Sequence, residues 1–194
     1  MINIKEAFGY LAVLAAIISY ASYIIGIIRK KAKPHLFSWL IWGMITSITF
    51  SAQYSDEAGP GAWSTGLSSI CLLGIALLAI WYGEDERTRS DWIAFLSTTF
   101  AIPLWCITND PLWSILLVTL IDIVAYFPTL RKSYVKPHEE IMIKYIFTVL
   151  KYAASIVSIN KYSLVTVLYP AISLFMDLLM VCLLILRRKA LPLA

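Results

Sequence analysis

Phe8–His35 reads FGYLAVLAAIISYASYIIGIIRKKAKPH: 21 uncharged residues, then a basic cluster, then the tripeptide Lys33-Pro34-His35. A bilayer core of ~30 Å takes about 20 apolar residues as helix, so the run is long enough to cross, and the cations mark where it leaves the lipid. It exceeds the roughly 7 to 15 residue core of a signal peptide, and no small-x-small cleavage pattern follows Ile28, so it reads as retained. Outward from it, apolar stretches recur over Leu36–Gln53, Ala62–Tyr82, Trp92–Ile107, Leu112–Leu130, Ile141–Ile159 and Tyr162–Leu186, giving seven spans in all. The fourth is the shortest and holds Pro103. Barrel strands would alternate apolar and polar residues, whereas these runs are continuously apolar, which predicts helices. With 60% hydrophobic and 14% charged residues, the composition excludes an ordinary soluble domain and predicts an all-α integral membrane protein.

The two histidines of the chain, His35 and His138, both end a Lys-Pro-His tripeptide, and the copies lie 103 residues apart. The same offset pairs Tyr23 with Tyr126, Arg29 with Lys132 and Trp42 with Tyr145, so the chain reads as one unit of about 80 to 90 residues used twice. Spans one, two and three pair with five, six and seven, which leaves the fourth as a linker. The expected organisation is a first three-helix repeat over 1–83, a linker helix over 84–110 and a second repeat over 111–194. An odd number of spans per unit would invert the second copy, and the linker restores its orientation. The seven transmembrane helices are therefore expected as two parallel three-helix bundles joined by a linker helix, 3+1+3.

Alternate loops and the C-terminus hold 12 of the 16 lysines and arginines, which predicts a multi-pass protein of the cell membrane with its N-terminus outside and its C-terminus cytoplasmic. Topology and anionic headgroups account for the net charge of +4, so no nucleic-acid partner is implied. Cys71, Cys106 and Cys182 lie in different apolar spans without metal-ligand spacing and read as core residues. No metal or cofactor is expected. An enzyme is not expected either, since both histidines fall in loops and no nucleophile–base pair lies at membrane depth.

Ionisable residues within a bilayer are costly and point to function, which selects Asp122 in the fifth span, Lys151 in the sixth and Asp177 in the seventh. Their counterparts at the 103-residue offset, Ser19, Ile48 and Gly74, carry no charge. The three are expected to bind a polar substrate, to carry a proton, or to pair and fix their helices. Lys144, nearer the cytoplasmic end, reads as snorkelling to water. Ser68, Ser69 and Ser173 could offer hydroxyls to a substrate, although Gly66, Ser68, Ser69 and Gly74 read first as close-packing positions. Trp39, Trp42 and Tyr145 read as an interfacial belt, with the alternative that Trp42 and Tyr145 form a gate or stack on a flat ligand. Pro128, beside the basic loop, is the candidate hinge.

Tyr126-Phe127-Pro128-Thr129-Leu130-Arg131-Lys132, set in a 3+1+3 chain with its N-terminus outside, resembles the SWEET and PQ-loop superfamily of membrane transporters. PnuC-type vitamin transporters share that architecture. The resemblance implies alternating access around a central midplane site, as uniport or with proton coupling. The chain departs from the pattern at Ile25, which stands where the second unit has Pro128. It departs again at Ala171 after Pro170 and at Ser68, where sugar-transporting members carry asparagines. The expected partners are a small polar or amphipathic solute, protons and the lipid bilayer, and a homo-oligomer is compatible with the chain. The alternative is a non-transporting receptor or sorting protein of the same fold.

Overall fold

The computed structural model describes residues 3–34, 36–83, 92, 95–96, 99–100 and 110–191; the side chains of Phe127, Pro128, Lys132 and Glu139 are outside that description. Among the described residues, six helices have defined bounds: α1 Ile4–Ile28, α2 Leu36–Ser55, α3 Trp63–Tyr82, α4 Pro111–Val135, α5 Met142–Val157 and α6 Leu164–Ala190. Short 3-10 turns at Gly59–Ala62 and Pro137–Glu139 join α2 to α3 and α4 to α5. No strand occurs among the described residues. Most of the fourth expected span, with Pro103, Trp105 and Cys106, lies outside the described residues, as does His35.

Helix boundaries follow local chemistry. Asn3 caps α1 by accepting from the Glu6 amide at 2.8 Å, while the Glu6 carboxylate accepts from the Asn3 amide at 2.9 Å, a reciprocal capping box. α1 ends where Lys30 turns to φ 57° and the amides of Lys31 and Ala32 fold back onto the Gly26 carbonyl. Ser163 and Thr166 form a second capping box, so α6 begins at Leu164 rather than at Tyr162. α4 continues as helix through Pro128 to Val135, five residues beyond the expected Leu130.

The helices pack as two sets with one pattern. α3 packs on both α1 and α2, and α6 packs on both α4 and α5; across the sets, α1 lies against α5 and α2 against α4. Exchanging α1, α2 and α3 for α4, α5 and α6 turns every one of these contacts into another of them. Close approach of α2 and α3 depends on glycine: a Cβ on Gly43 would lie 2.6 Å from Leu73 Cδ2, and one on Gly66 would lie 2.9 Å from Phe50 Cε2. Gly74 needs no such explanation, because a Cβ there would meet nothing within 4 Å.

Among the described residues, four helical segments are long and apolar enough to cross a bilayer: α1, α3 with the turn before it, α4 and α6. The seven-span expectation is thus met in part. α5 is only 16 residues, or about 24 Å at ~1.5 Å per residue, and α2 is diluted by Thr46, Ser47, Thr49, Ser51 and Gln53. The burial pattern is compatible with a membrane protein, since large apolar side chains such as Leu77, Leu120 and Phe175 are each 59% exposed while Asp122, Lys151 and Asp177 are buried. Cys182 is exposed and Cys71 half-buried, so neither is the core residue its apolar surroundings predict.

One end of the bundle is knitted across the two sets. The Asn160 amide donates to the Ala58 carbonyl at 3.0 Å, Ser155 Oγ donates to the Gly61 carbonyl at 2.6 Å, and Lys5 Nζ donates to the Asn160 carbonyl at 3.2 Å. Lys161 Nζ meets Asp56 Oδ1 at 2.8 Å, and Ser163 Oγ donates to the other Asp56 oxygen. The Lys161 hydrogen bond, followed by that of Ser163, holds the Asp56 carboxyl below the usual carboxylate range, and the same bond raises the Lys161 ammonium. At the opposite end, Arg187 Nε donates to the Tyr134 carbonyl at 2.8 Å and Arg188 Nη2 to the Glu140 carbonyl at 2.6 Å, tying the end of α6 to the α4–α5 connection.

Candidate functional site

Three polar stripes meet at the centre of the bundle. On α5, Lys144, Thr148, Lys151 and Tyr152 follow the i, i+4, i+7, i+8 spacing that puts side chains on one helix face. On α4, Asp122 and Tyr126 are one turn apart, and on α6, Tyr169, Ser173 and Asp177 recur every four residues. With Tyr20 of α1, Trp42 and Thr46 of α2 and Leu72 of α3, these stripes enclose a cavity of about 30 Å³. That volume holds about two water molecules. All six helices contribute to its wall.

Four charged side chains line the cavity, two carboxylates and two ammonium groups, and all are buried: Asp122, Asp177, Lys144 and Lys151. Their nearest partners are neutral. Lys151 Nζ donates to Ser68 Oγ at 3.2 Å and lies 3.7 Å from the centroid of the Tyr152 ring. Asp122 Oδ2 accepts from Ser173 Oγ at 3.2 Å, and Asp177 Oδ1 accepts from the Tyr126 hydroxyl at 2.8 Å. Lys144 Nζ lies 4.0 Å from the Tyr145 ring centroid and 5.5 Å from that of Trp42. Among the described residues, neither carboxylate comes within ion-pair distance of either ammonium. An uncompensated buried ion costs several kcal/mol, and here two groups of each sign share one cavity without contact pairs.

Two buried polar atoms at the cavity, Asp177 Oδ2 and Trp42 Nε1, form no hydrogen bond. Lys144 Nζ, beside them on the cavity wall, makes cation–π contacts with Tyr145 and Trp42. Trp42 and Asp177 are neighbours, since the Trp42 ring stands 5.9 Å from the Tyr126 ring whose hydroxyl holds the other oxygen of Asp177. Buried polar groups are rarely left unsatisfied, and one that is costs about 1 to 3 kcal/mol.

Asp122, Lys151, Asp177 and Trp42 are thus brought together at the cavity wall, with Ser68 and Ser173 bonded to two of the charges. Ser69 does not join them; it donates to the Gly66 carbonyl of its own helix at 2.8 Å. Tyr145 lies under Lys144 and donates to Glu140 Oε2 at 3.1 Å. The belt reading of Trp39 and Tyr145 fails, because each is only 3% exposed and packed inside the bundle. Lys144 does not snorkel either: at 7% exposure it faces the cavity, because its i+4 and i+7 neighbours already fix that face of α5 inward. Pro128 is within α4, seven residues before the helix ends.

The cavity tyrosines at 20, 126, 152 and 169 went unselected in the sequence. A signal existed for three of them, because Tyr126, Tyr152 and Tyr169 sit at helical spacing from Asp122, Lys144 and Asp177 respectively. Among the described residues no group of three or more His, Cys, Asp or Glu side chains could hold a metal ion. Comparison with protein-family models, curated proteins and solved structures gives no match to this chain.

Proposed function

We propose that the chain is a small-solute membrane transporter of the cell membrane, working by alternating access of two three-helix units around the central cavity. One observation carries the reading: four buried charges surround a water-sized space at the meeting point of six helices whose outer surface is apolar. Ionisable groups facing an internal cavity are how membrane proteins mark a solute or proton path. The exchange symmetry of the packing supports a 3+1+3 arrangement like that of the SWEET and PQ-loop superfamily, with the linker in the segment between α3 and α4. The hydrogen bonds that join Asp56, Ala58 and Gly61 to the α5–α6 connection support a closed gate at one end. At about 30 Å³ the cavity holds no more than water-sized molecules, so solute entry requires the two units to part.

Purified protein reconstituted into liposomes tests the reading directly. Saturable uptake of at least one solute from a panel of sugars, amino acids and vitamins, abolished in Asp122→Asn or Lys151→Met, is the expected outcome. Absence of uptake and of exchange across the panel, with correctly folded protein in the bilayer, would remove it.

A further inference from the structure

We infer that the solute taken by this cavity is a small zwitterion, its ammonium group received by Asp177 and its carboxylate by Lys144 and Trp42. The inference rests on the transporter reading and names the substrate class for the same site.

The unpartnered atoms supply the argument. Asp177 Oδ2 is a buried acceptor without a donor and Trp42 Nε1 a buried donor without an acceptor, while the Lys144 ammonium lines the cavity with aromatic rings as its contacts. A ligand that satisfies all three must donate at one end and accept at the other. The ammonium of Lys144 stands 5.5 Å from the Trp42 ring centroid, so the two donor side chains are neighbours on the cavity wall. Tyr126 links the two ends, bonding Asp177 at 2.8 Å through its hydroxyl and packing against Trp42 through its ring. The donor and acceptor sites therefore share Tyr126 as a neighbour, a placement suited to a compact molecule.

Charge decides what kind of molecule. Asp122, Asp177, Lys144 and Lys151 sum to zero when all four are ionised. A lone cation or anion entering this low-dielectric space would add a charge with no counterpart, whereas a zwitterion keeps the sum at zero. A neutral polyol also keeps it, but its hydroxyls form weaker bonds to Asp177 and Lys144 than ionised groups do. Size points the same way: from a cavity of about 30 Å³, five or six heavy atoms require far less widening than a hexose.

The test is binding, measured apart from transport. The full chain in detergent micelles is titrated with glycine, L-alanine and L-serine by calorimetry, with thermal stabilisation as a second readout. Methylammonium, acetate, glucose and glycine betaine serve as comparison probes. Saturable binding of the amino acids is expected, with methylammonium, acetate and glucose at least about ten-fold weaker, the loss of one charge-assisted hydrogen bond. Glycine betaine, which has no N–H to give Asp177, is expected to be weaker by a similar factor. Asp177→Asn and Lys144→Met should each weaken glycine by about ten-fold or more. Trp42→Phe, which removes only the indole donor and keeps the ring, should weaken it by a few-fold and covers the case in which a charge variant does not fold. The inference is overturned if no amino acid binds, if acetate, methylammonium or glucose binds as tightly as glycine, or if folded Asp177→Asn or Trp42→Phe binds glycine unchanged. Liposome uptake of some solute without zwitterion binding would sink this inference and spare the transporter reading; zwitterion binding without uptake would do the reverse.

Discussion

The two sets of three helices pack alike and are equipped differently. α1–α3 contribute Tyr20, Trp42, Thr46 and Leu72 to the centre, and none of their cavity residues is charged, whereas α4–α6 contribute both aspartates and both lysines. At the 103-residue offset, Ile48 stands where Lys151 does and Ser19 where Asp122 does, and Ile48 and Ser19 are buried as well. A packing scheme that works with isoleucine and serine does not need charge to hold together. The charges of the second set are therefore additions to the scaffold, and the first set is the apolar and hydroxyl wall that they face.

The largest way to break the comparison is to remove one charge and leave its opposites buried. Lys151→Met or Asp177→Ala is expected to destabilise by about 3 to 5 kcal/mol, the cost of an uncompensated buried ion. Ile48→Val in the first set should cost about 0.5 to 1.5 kcal/mol. The pair Lys151→Met with Asp177→Ala restores neutrality and should lose clearly less than the sum of the two single variants. Reversible unfolding in micelles measures all of these; strict additivity would mean that the four groups are independent.

This division between scaffold and charge also explains what could be read in the sequence. The all-helical character was legible because a bilayer-length apolar run needs no partner to be recognised. Asp122, Lys151 and Asp177 were legible because charge within an apolar run is anomalous wherever it points. Lys144 was misread because distance from the helix end was weighed above its spacing from Thr148 and Lys151, which fixes the inward face of α5. Ser69 was grouped with Ser68 as a neighbour in sequence, but adjacent positions on a helix face about 100° apart, and only Ser68 reaches Lys151. Nothing local marked Tyr20, which enters the site only because α1 packs across onto α5.

The seam between the sets provides the middle range of effects. Gly59 has φ +60°, and a Cβ there would fall 2.1 Å from Asn160 Nδ2; at Gly61 a Cβ would fall 2.6 Å from Ile159 Cγ1 and 3.0 Å from the Ile159 backbone. Gly61→Val is expected to cost about 1 to 3 kcal/mol, since the backbone of the opposite connection has to shift. Deeper in the same seam, Ser19 Oγ donates to the Lys144 carbonyl at 3.0 Å and lies 2.9 Å from Thr148 Oγ1. Ser19→Ala should cost about 0.5 to 1.5 kcal/mol, and Thr148, which already bonds the Lys144 carbonyl at 2.8 Å, keeps that acceptor satisfied. If Ser19→Ala proves as damaging as Lys151→Met, hydroxyl and charge would not be the separate contributions argued above.

The smallest effect is at the exposed end of the seam and depends on pH. Asp56 is held below its ordinary value of 3.8 by the Lys161 hydrogen bond, with a further bond from Ser163. A carboxyl with a folded pKa below its unfolded one stabilises the folded state fully above the unfolded value and loses that contribution as pH falls through the folded one. Lys161 is raised above 10.5 by the same partner, so its share is present below that value and lost as pH rises beyond it. The link is therefore intact across the neutral range and fails at both extremes. The thermal midpoint of the wild type should exceed that of Asp56→Asn at pH 7, and the difference should shrink on acidification below about pH 4. It should also shrink in high salt, because Lys161 is exposed to solvent while the cavity charges are not. A salt response of equal size in Lys151→Met would place the central charges in contact with bulk water, and the separation of buried from exposed charge would have to be given up.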